Sequence, residues 1–157
     1  MKLIIHGGFF SESSSSEETK IAKQRALSEI VTAGYEYLKN HTALETAVYV
    51  VTLLEDHALF NAGTGSQIQS DGKLRMSASL MDGSASKFSG VINIEDVKNP
   101  VQVAVKLLEK EDRVLSGAGA LAFARAHGFE FYNPITPQRQ QEFEEKRNQQ
   151  NNKGTVG

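Results

Sequence analysis

Chemistry in this chain cannot rest on thiols, because its 157 residues include no cysteine. That removes disulfides, thiolate metal sites and thiol nucleophiles together. The four histidines, His6, His41, His57 and His127, are widely separated and belong to no carboxylate or cysteine ligand pattern, which argues against a histidine-held metal. Asp82, in Met-Asp-Gly, has the chemistry of an acid, but Asp-Gly most often makes a turn, so a structural role is expected. Ala62-Gly63-Thr64-Gly65 is glycine-rich, yet no Gly-Lys-Ser/Thr comes after it and it leads towards a strand. A phosphate cradle is therefore a poor reading. Thr155, behind Gly154, is by itself an ordinary polar residue: a neutral hydroxyl attacks weakly unless a base lies beside it.

The elements that must position these groups are legible from spacing. Leu3-Ile4-Ile5, stopped by Gly7-Gly8, predicts a short buried strand entering a tight loop, and Ser11 to Ser16 a polar loop. From Glu17 to Asn40, Leu27, Ile30, Val31, Gly34, Tyr35 and Leu38 recur at helical spacing. Thr42-Ala-Leu-Glu45 fits a capping box, and the helix it opens is apolar almost all round from Ala47 to Leu54, so it needs cover on most faces. Ser66 to Gln69 and Lys73 to Leu80 flank Asp71-Gly72 as a predicted hairpin, and Phe88 to Ile94 reads as a further strand. Asn99-Pro100 predicts an N-cap and first helical residue for a helix over Val101 to Lys110. Helices are also expected from Ser116 to Gly128 and from Thr136-Pro137 to about Arg147, where Glu142, Glu144, Glu145, Lys146 and Arg147 make a solvated face. The predicted order is β-α-α-β-β-β-α-α-α, an α/β arrangement in layers without internal repeat.

Composition agrees with a folded core: 39% of residues are hydrophobic and 23% charged. A formal net charge of -2, with basic residues scattered among acids, gives no reason to expect a nucleic-acid partner. The first apolar run is three residues long, too short for a signal-peptide core, and nothing approaches the roughly 18 apolar residues of a membrane span. The expectation is a cytoplasmic protein without membrane contact.

Several stretches together resemble the plant-type asparaginase/isoaspartyl peptidase family. They are Ile5-His6-Gly7-Gly8, Leu54-Glu55-Asp56 through Leu59-Phe60-Asn61-Ala62-Gly63-Thr64-Gly65, Met76 to Asp82-Gly83, Asn99-Pro100 and Gly154-Thr155-Val156-Gly157. Their order and rough spacing resemble the family's N-terminal, α portion across the whole chain. The resemblance implies the αββα sandwich of a threonine Ntn hydrolase and hydrolysis of L-asparagine or β-aspartyl (isoaspartyl) dipeptides. It also implies an assembly of two α and two β subunits. On this reading residues 1–147 are the α portion, 148–154 a flexible linker, and 155–157 the start of the β portion. Ending at Gly157, just as Thr155-Val156 opens an apolar segment, is what a truncation or a processed subunit would give.

The same resemblance assigns roles. Thr155 becomes the nucleophile, first against the carbonyl of Gly154 and later against substrate. Glycine suits the scissile position because it accepts strained backbone angles, and a freed threonine α-amine, with a reference pKa of about 7.7–8.0, can act as base. His6, Gly7 and Gly8 would form a loop active in processing, with His6 anchoring it by hydrogen bonds, and Asn61 would brace the loop or stand near the nucleophile. Main-chain carbonyls of Leu54, Glu55, His57, Phe60, Ala62 and Thr64 would surround a structural sodium ion, a hard cation suited to oxygen donors. No organic cofactor is implied. Phe9-Phe10 depart from the glycine run common after His-Gly-Gly, and the stiffer, bulkier loop bears on the rate of self-cleavage.

The resemblance leaves runner-up readings: a glycosylasparaginase or threonine endopeptidase of the same superfamily, or a non-catalytic binding or scaffold homologue. Alone, the chain is expected to be catalytically silent and to self-associate through the apolar helix surface at Ala47 to Leu54 that the missing part would cover, which light scattering would detect.

Overall fold

A computed structural model describes residues 1–8 and 16–153. Helix α1 spans Glu17–Leu38 and α2 Ala43–Asp56, followed by a short 3-10 turn at Gly63–Gly65. Strands β1 (Met76–Asp82) and β2 (Lys87–Ile94) come next, then α3 (Pro100–Leu107), β3 (Val114–Ser116), α4 (Gly117–Ala126) and α5 (Pro137–Lys153).

Local chemistry explains where the first helices start. The Ser16 hydroxyl accepts from the Thr19 amide at the head of α1. At α2 the predicted capping box forms, with Thr42 and Glu45 each satisfying the other's backbone N–H. Gly34 is where α1 meets α2, since a Cβ there would overlap the Val50 side chain. The apolar girth of α2 is taken up on two sides. Val50 and Leu54 pack with Ala26, Ile30 and Phe60, while Leu44 and Val48 pack with Leu80, Ala104 and Leu108. A third flank, with Tyr49 and Thr52, lines an open cavity of about 290 Å³.

The sheet runs β1-β2-β3, antiparallel then parallel, with α3 and α4 packed on it. The main core lies between sheet and helices, where Val91, Ile94, Val103, Leu107, Ala120 and Ala124 are buried. The opposite sheet face is bare: Met81 (66%), Phe88 (49%), Ile92 (47%) and Val114 (47%) are exposed on it.

Five sequence expectations change. Leu3–Ile5 is not a strand; Leu3 and Ile5 lean on the α1–α2 cluster while Ile4 is 92% exposed, and no described strand pairs with them. The segment after Lys73 does not pair with Ser66 to Gln69, because only a turn forms around Asp71-Gly72, and β1 takes β2 as partner instead. The hairpin turn is therefore at Gly83 to Ser86, where Asp82 Oδ1 accepts from the Ser84 amide (2.9 Å), the role expected of Asp-Gly. Helix α3 stops at Leu107, short of Lys110, and its Asn99 side chain caps nothing. Val114–Ser116 forms the parallel strand β3, where sequence left Val114 and Leu115 unassigned and opened a helix at Ser116; α4 starts one residue later, at Gly117. Finally, α5 continues to Lys153 through most of the stretch read as a linker.

Candidate functional site

The loop after α2 is folded tightly back on the helix that leads into it. His57 ends α2 with extended backbone, and its Nδ1 accepts from the Leu59 amide at 3.2 Å. Phe60, 3% exposed, drives the chain back into the α1–α2 cluster. Asn61 Oδ1 accepts from the Gln67 amide at 2.9 Å, so this side chain braces the loop across its mouth. Gly63 has a φ of 50°, and a Cβ there would overlap the Glu55 carbonyl. Gly65 is pressed equally closely onto the carbonyls of Phe60 and Ala58.

These contacts gather main-chain oxygens around a small turn. Of the predicted donors, the Leu54, His57 and Ala62 carbonyls each accept one loop amide and keep a second lone pair. The Glu55 and Phe60 carbonyls press against the glycines, and Thr64 lies within the turn itself. An all-carbonyl donor set suits a hard monovalent or divalent cation and needs no ionised side chain. No group of three or more His, Cys, Asp or Glu able to hold a metal occurs among the described residues. Gly63→Ala is expected to destabilise the chain by at least about 2 kcal/mol, through the unfavourable positive φ and, above all, the clash with the Glu55 carbonyl. Thermal denaturation should show a midpoint lowered by roughly 5 °C or more.

The N-terminal glycines sit against this loop. Gly7 lies between Leu27 of α1 and the Phe60 ring; a Cβ would come within 3.0 Å of both. His6 Nδ1 accepts from the Gly8 amide at 3.3 Å, and Gly8 has a φ of 94° that favours glycine. Thus His6, Gly7, Gly8, Asn61 and the carbonyl loop share one corner of the fold. Gly154, Thr155 and Phe9-Phe10 lie outside the described residues. The other histidines have local tasks: His41 Nδ1 bonds Tyr37 O (2.9 Å) and His127 Nδ1 bonds Phe123 O (2.8 Å), each near a helix end.

One functional-looking group was missed by sequence reasoning, which singled out only the Glu55 carbonyl. The Glu55 side chain is 2% exposed, and its Oε1 accepts from the Val101 amide at 3.0 Å. It thereby does the capping of α3 that Asn99 does not, while Asn99 Nδ2 donates to Asp56 Oδ1 at 3.0 Å. The second oxygen, Oε2, has no hydrogen-bond partner among the described residues. Burial, outweighing the Val101 amide, pushes this carboxyl up from 4.5 to about 7. The folded chain therefore binds a proton that the unfolded chain releases across that interval. Its contribution is fully present below pH 4.5 and is lost as pH rises through about 7. In sodium-free buffer, denaturant titrations should show stability falling between pH 5 and 7 by on the order of 2–3 kcal/mol. Glu55→Gln should flatten that slope; an unchanged slope would remove the assignment.

Comparison with known proteins bears on the same residues. Residues 1–156 match the asparaginase family. The chain belongs to that family. It is 48% identical over 148 residues to an isoaspartyl peptidase/L-asparaginase of Synechocystis sp., covering 93% of this chain and 44% of the relative. It is 43% identical over 154 residues to a plant-type L-asparaginase of Thermococcus kodakarensis, covering 97% and 49% respectively. An isoaspartyl peptidase of Salmonella typhimurium is 35% identical over 136 residues, covering 84% of this chain and 44% of that protein. This asparaginase-family chain thus spans about half the length of the curated relatives it matches. None of its described helices is long and apolar enough to cross a membrane.

Proposed function

We propose that this chain is the α portion of an asparaginase/isoaspartyl peptidase precursor, an Ntn hydrolase of αββα architecture that cuts itself between Gly154 and Thr155. The observation that carries the reading is the family match over residues 1–156 at about half the length of the relatives. The bare sheet face supports it. Apolar side chains at Met81, Phe88, Ile92 and Val114 belong under a second layer, which the C-terminal, β portion would supply.

In the uncut chain the Thr155 hydroxyl attacks the Gly154 carbonyl, the peptide shifts to an ester, and water hydrolyses it. The freed α-amine then takes the hydroxyl proton as Thr155 attacks a substrate amide, giving an acyl-enzyme and releasing ammonia from L-asparagine or an amino acid from an isoaspartyl dipeptide. Water completes the cycle. The carbonyls of Leu54, Glu55, His57, Phe60, Ala62 and Thr64 would hold a structural sodium ion, which supplies charge to stiffen the loop and takes no part in bond making. The working assembly would be a dimer of αβ units in the cytoplasm, with neither nucleic acid nor membrane as partner.

Intact mass of the chain expressed with its C-terminal portion tests this directly. Two fragments are expected, the second beginning at Thr155; a single uncut species with no asparagine or isoaspartyl turnover would refute the proposal.

A further inference from the structure

Helix α5 leads to Gly154, yet almost nothing about its own sequence holds it to the fold. Residues 144–149 are all exposed. Half-buried Phe143 lies near Gly72, and the polar attachment lies at the helix head. Thr136 caps the first turn, its hydroxyl accepting from the Arg139 amide at 3.2 Å. The Arg139 side chain is only 12% exposed. Its Nε donates to the Gly65 carbonyl at 2.8 Å, across 74 residues, and its Nη1 pairs with Glu142 Oε2 at 2.6 Å. The guanidinium fork thus joins the helix to the carbonyl loop in a fixed orientation.

A second link runs parallel to it. Tyr132 OH lies 3.0 Å from Thr64 Oγ1, one residue from Gly65. The segment bearing Tyr132 is itself pinned, since the Tyr132 amide donates to the Asp96 carbonyl at 3.1 Å. Arg125 holds the same corner, donating to the carbonyls of Asp96 (2.8 Å), Phe129 (2.9 Å) and Glu130 (3.0 Å). Both Thr64 and Gly65 belong to the turn that gathers the loop oxygens.

We propose that Arg139, seconded by Tyr132, is a positioning residue for self-cleavage: it latches the arm that ends in Gly154–Thr155 onto the loop of residues 54–65. This rests on the proposed function for its consequence, though the latch is a property of the present chain. An arm anchored at one end by two bonds delivers its far end from a fixed origin. Loss of the anchor misplaces a reacting hydroxyl, for which small displacements are costly.

Two measurements test it. Hydrogen exchange on the 157-residue chain reads the latch itself: Arg139→Ala should speed exchange of the amides of Gly65, Ser66 and Gln67. Self-cleavage of the full precursor, followed by intact mass below the melting transition, reads its purpose. Arg139→Ala should slow cleavage about tenfold or more, Arg139→Lys should recover part of the rate, and low, non-denaturing guanidinium should restore the alanine variant. Gln141→Ala, on the solvent side of α5, should change neither readout. Wild-type cleavage by Arg139→Ala overturns the positioning role, even if loop exchange rises. If Arg139→Ala does not fold, Tyr132→Phe decides by the same pair of readouts, and no change in either overturns the latch. A wild-type precursor that never cleaves sinks the proposed function instead, and loop exchange then judges the latch alone.

Discussion

Thr155→Ala in the full precursor is expected to leave the chain uncut and to lower asparagine and isoaspartyl turnover by roughly 10⁴-fold or more. The magnitude is that of removing a nucleophile whose partners act only through it. Two losses coincide. Without the hydroxyl no ester forms at Gly154, and without cleavage no α-amine is freed to act as base. Thr155→Ser tests the same logic from the other side, because it keeps the hydroxyl and should still cut, more slowly. Intact mass distinguishes the cases: one band for alanine, two fragments for wild type and eventually for serine. Self-cleavage that survives the alanine change would mean that the nucleophile lies elsewhere.

The second large effect concerns the chain by itself. At 44–49% of the length of its relatives, it is expected to show no measurable turnover of L-asparagine or isoaspartyl dipeptides. Oxyanion-stabilising donors are commonly worth 10²–10³ in rate each, and the family resemblance implies that they lie, with the substrate-gripping groups, in the C-terminal portion. Adding or co-expressing the C-terminal portion should restore activity by orders of magnitude and should cover Met81, Phe88, Ile92 and Val114, so that a hydrophobic dye released from the chain reports assembly. Substantial turnover by the unaided chain would contradict this division of labour.

How far the chain could be read beforehand depended on the range of the interaction involved. The Thr42–Glu45 capping box, the 3.6-residue period of α1, and Gly128 beyond α4 with its φ of 83° all involve neighbours within a few positions, and all form. The Asn99 cap failed because a buried carboxylate, Glu55, reached Val101 from 46 residues away and displaced it. Leu3–Ile5 has the composition of a strand, but a strand is defined by its partner, and none is present among the described residues. Asp71-Gly72 makes its turn without a hairpin for the same reason, β1 having a longer and more apolar partner in β2. Side-chain pairs four apart, Gln140–Glu144 and Gln141–Glu145, support the part of α5 expected from sequence, and the helix runs on past it to Lys153.

The site divides along the same line. Glycines at 63 and 65, the apolar Phe60 and the histidine–glycine start are sequence properties, and the resemblance they carry named the family and the carbonyl donors. Sequence by itself also determined that the chemistry would not rest on thiols, since there are none. Only the tertiary structure decided that Gly7 would rest on Phe60, that Glu55 would cap α3 with a proton near neutrality, and that Arg139 and Tyr132 would hold the loop across 74 and 68 residues. The physical reason is that caps and periods are settled by a few adjacent dihedral angles. Burial and long-range hydrogen bonds depend on which surfaces meet after the chain has closed.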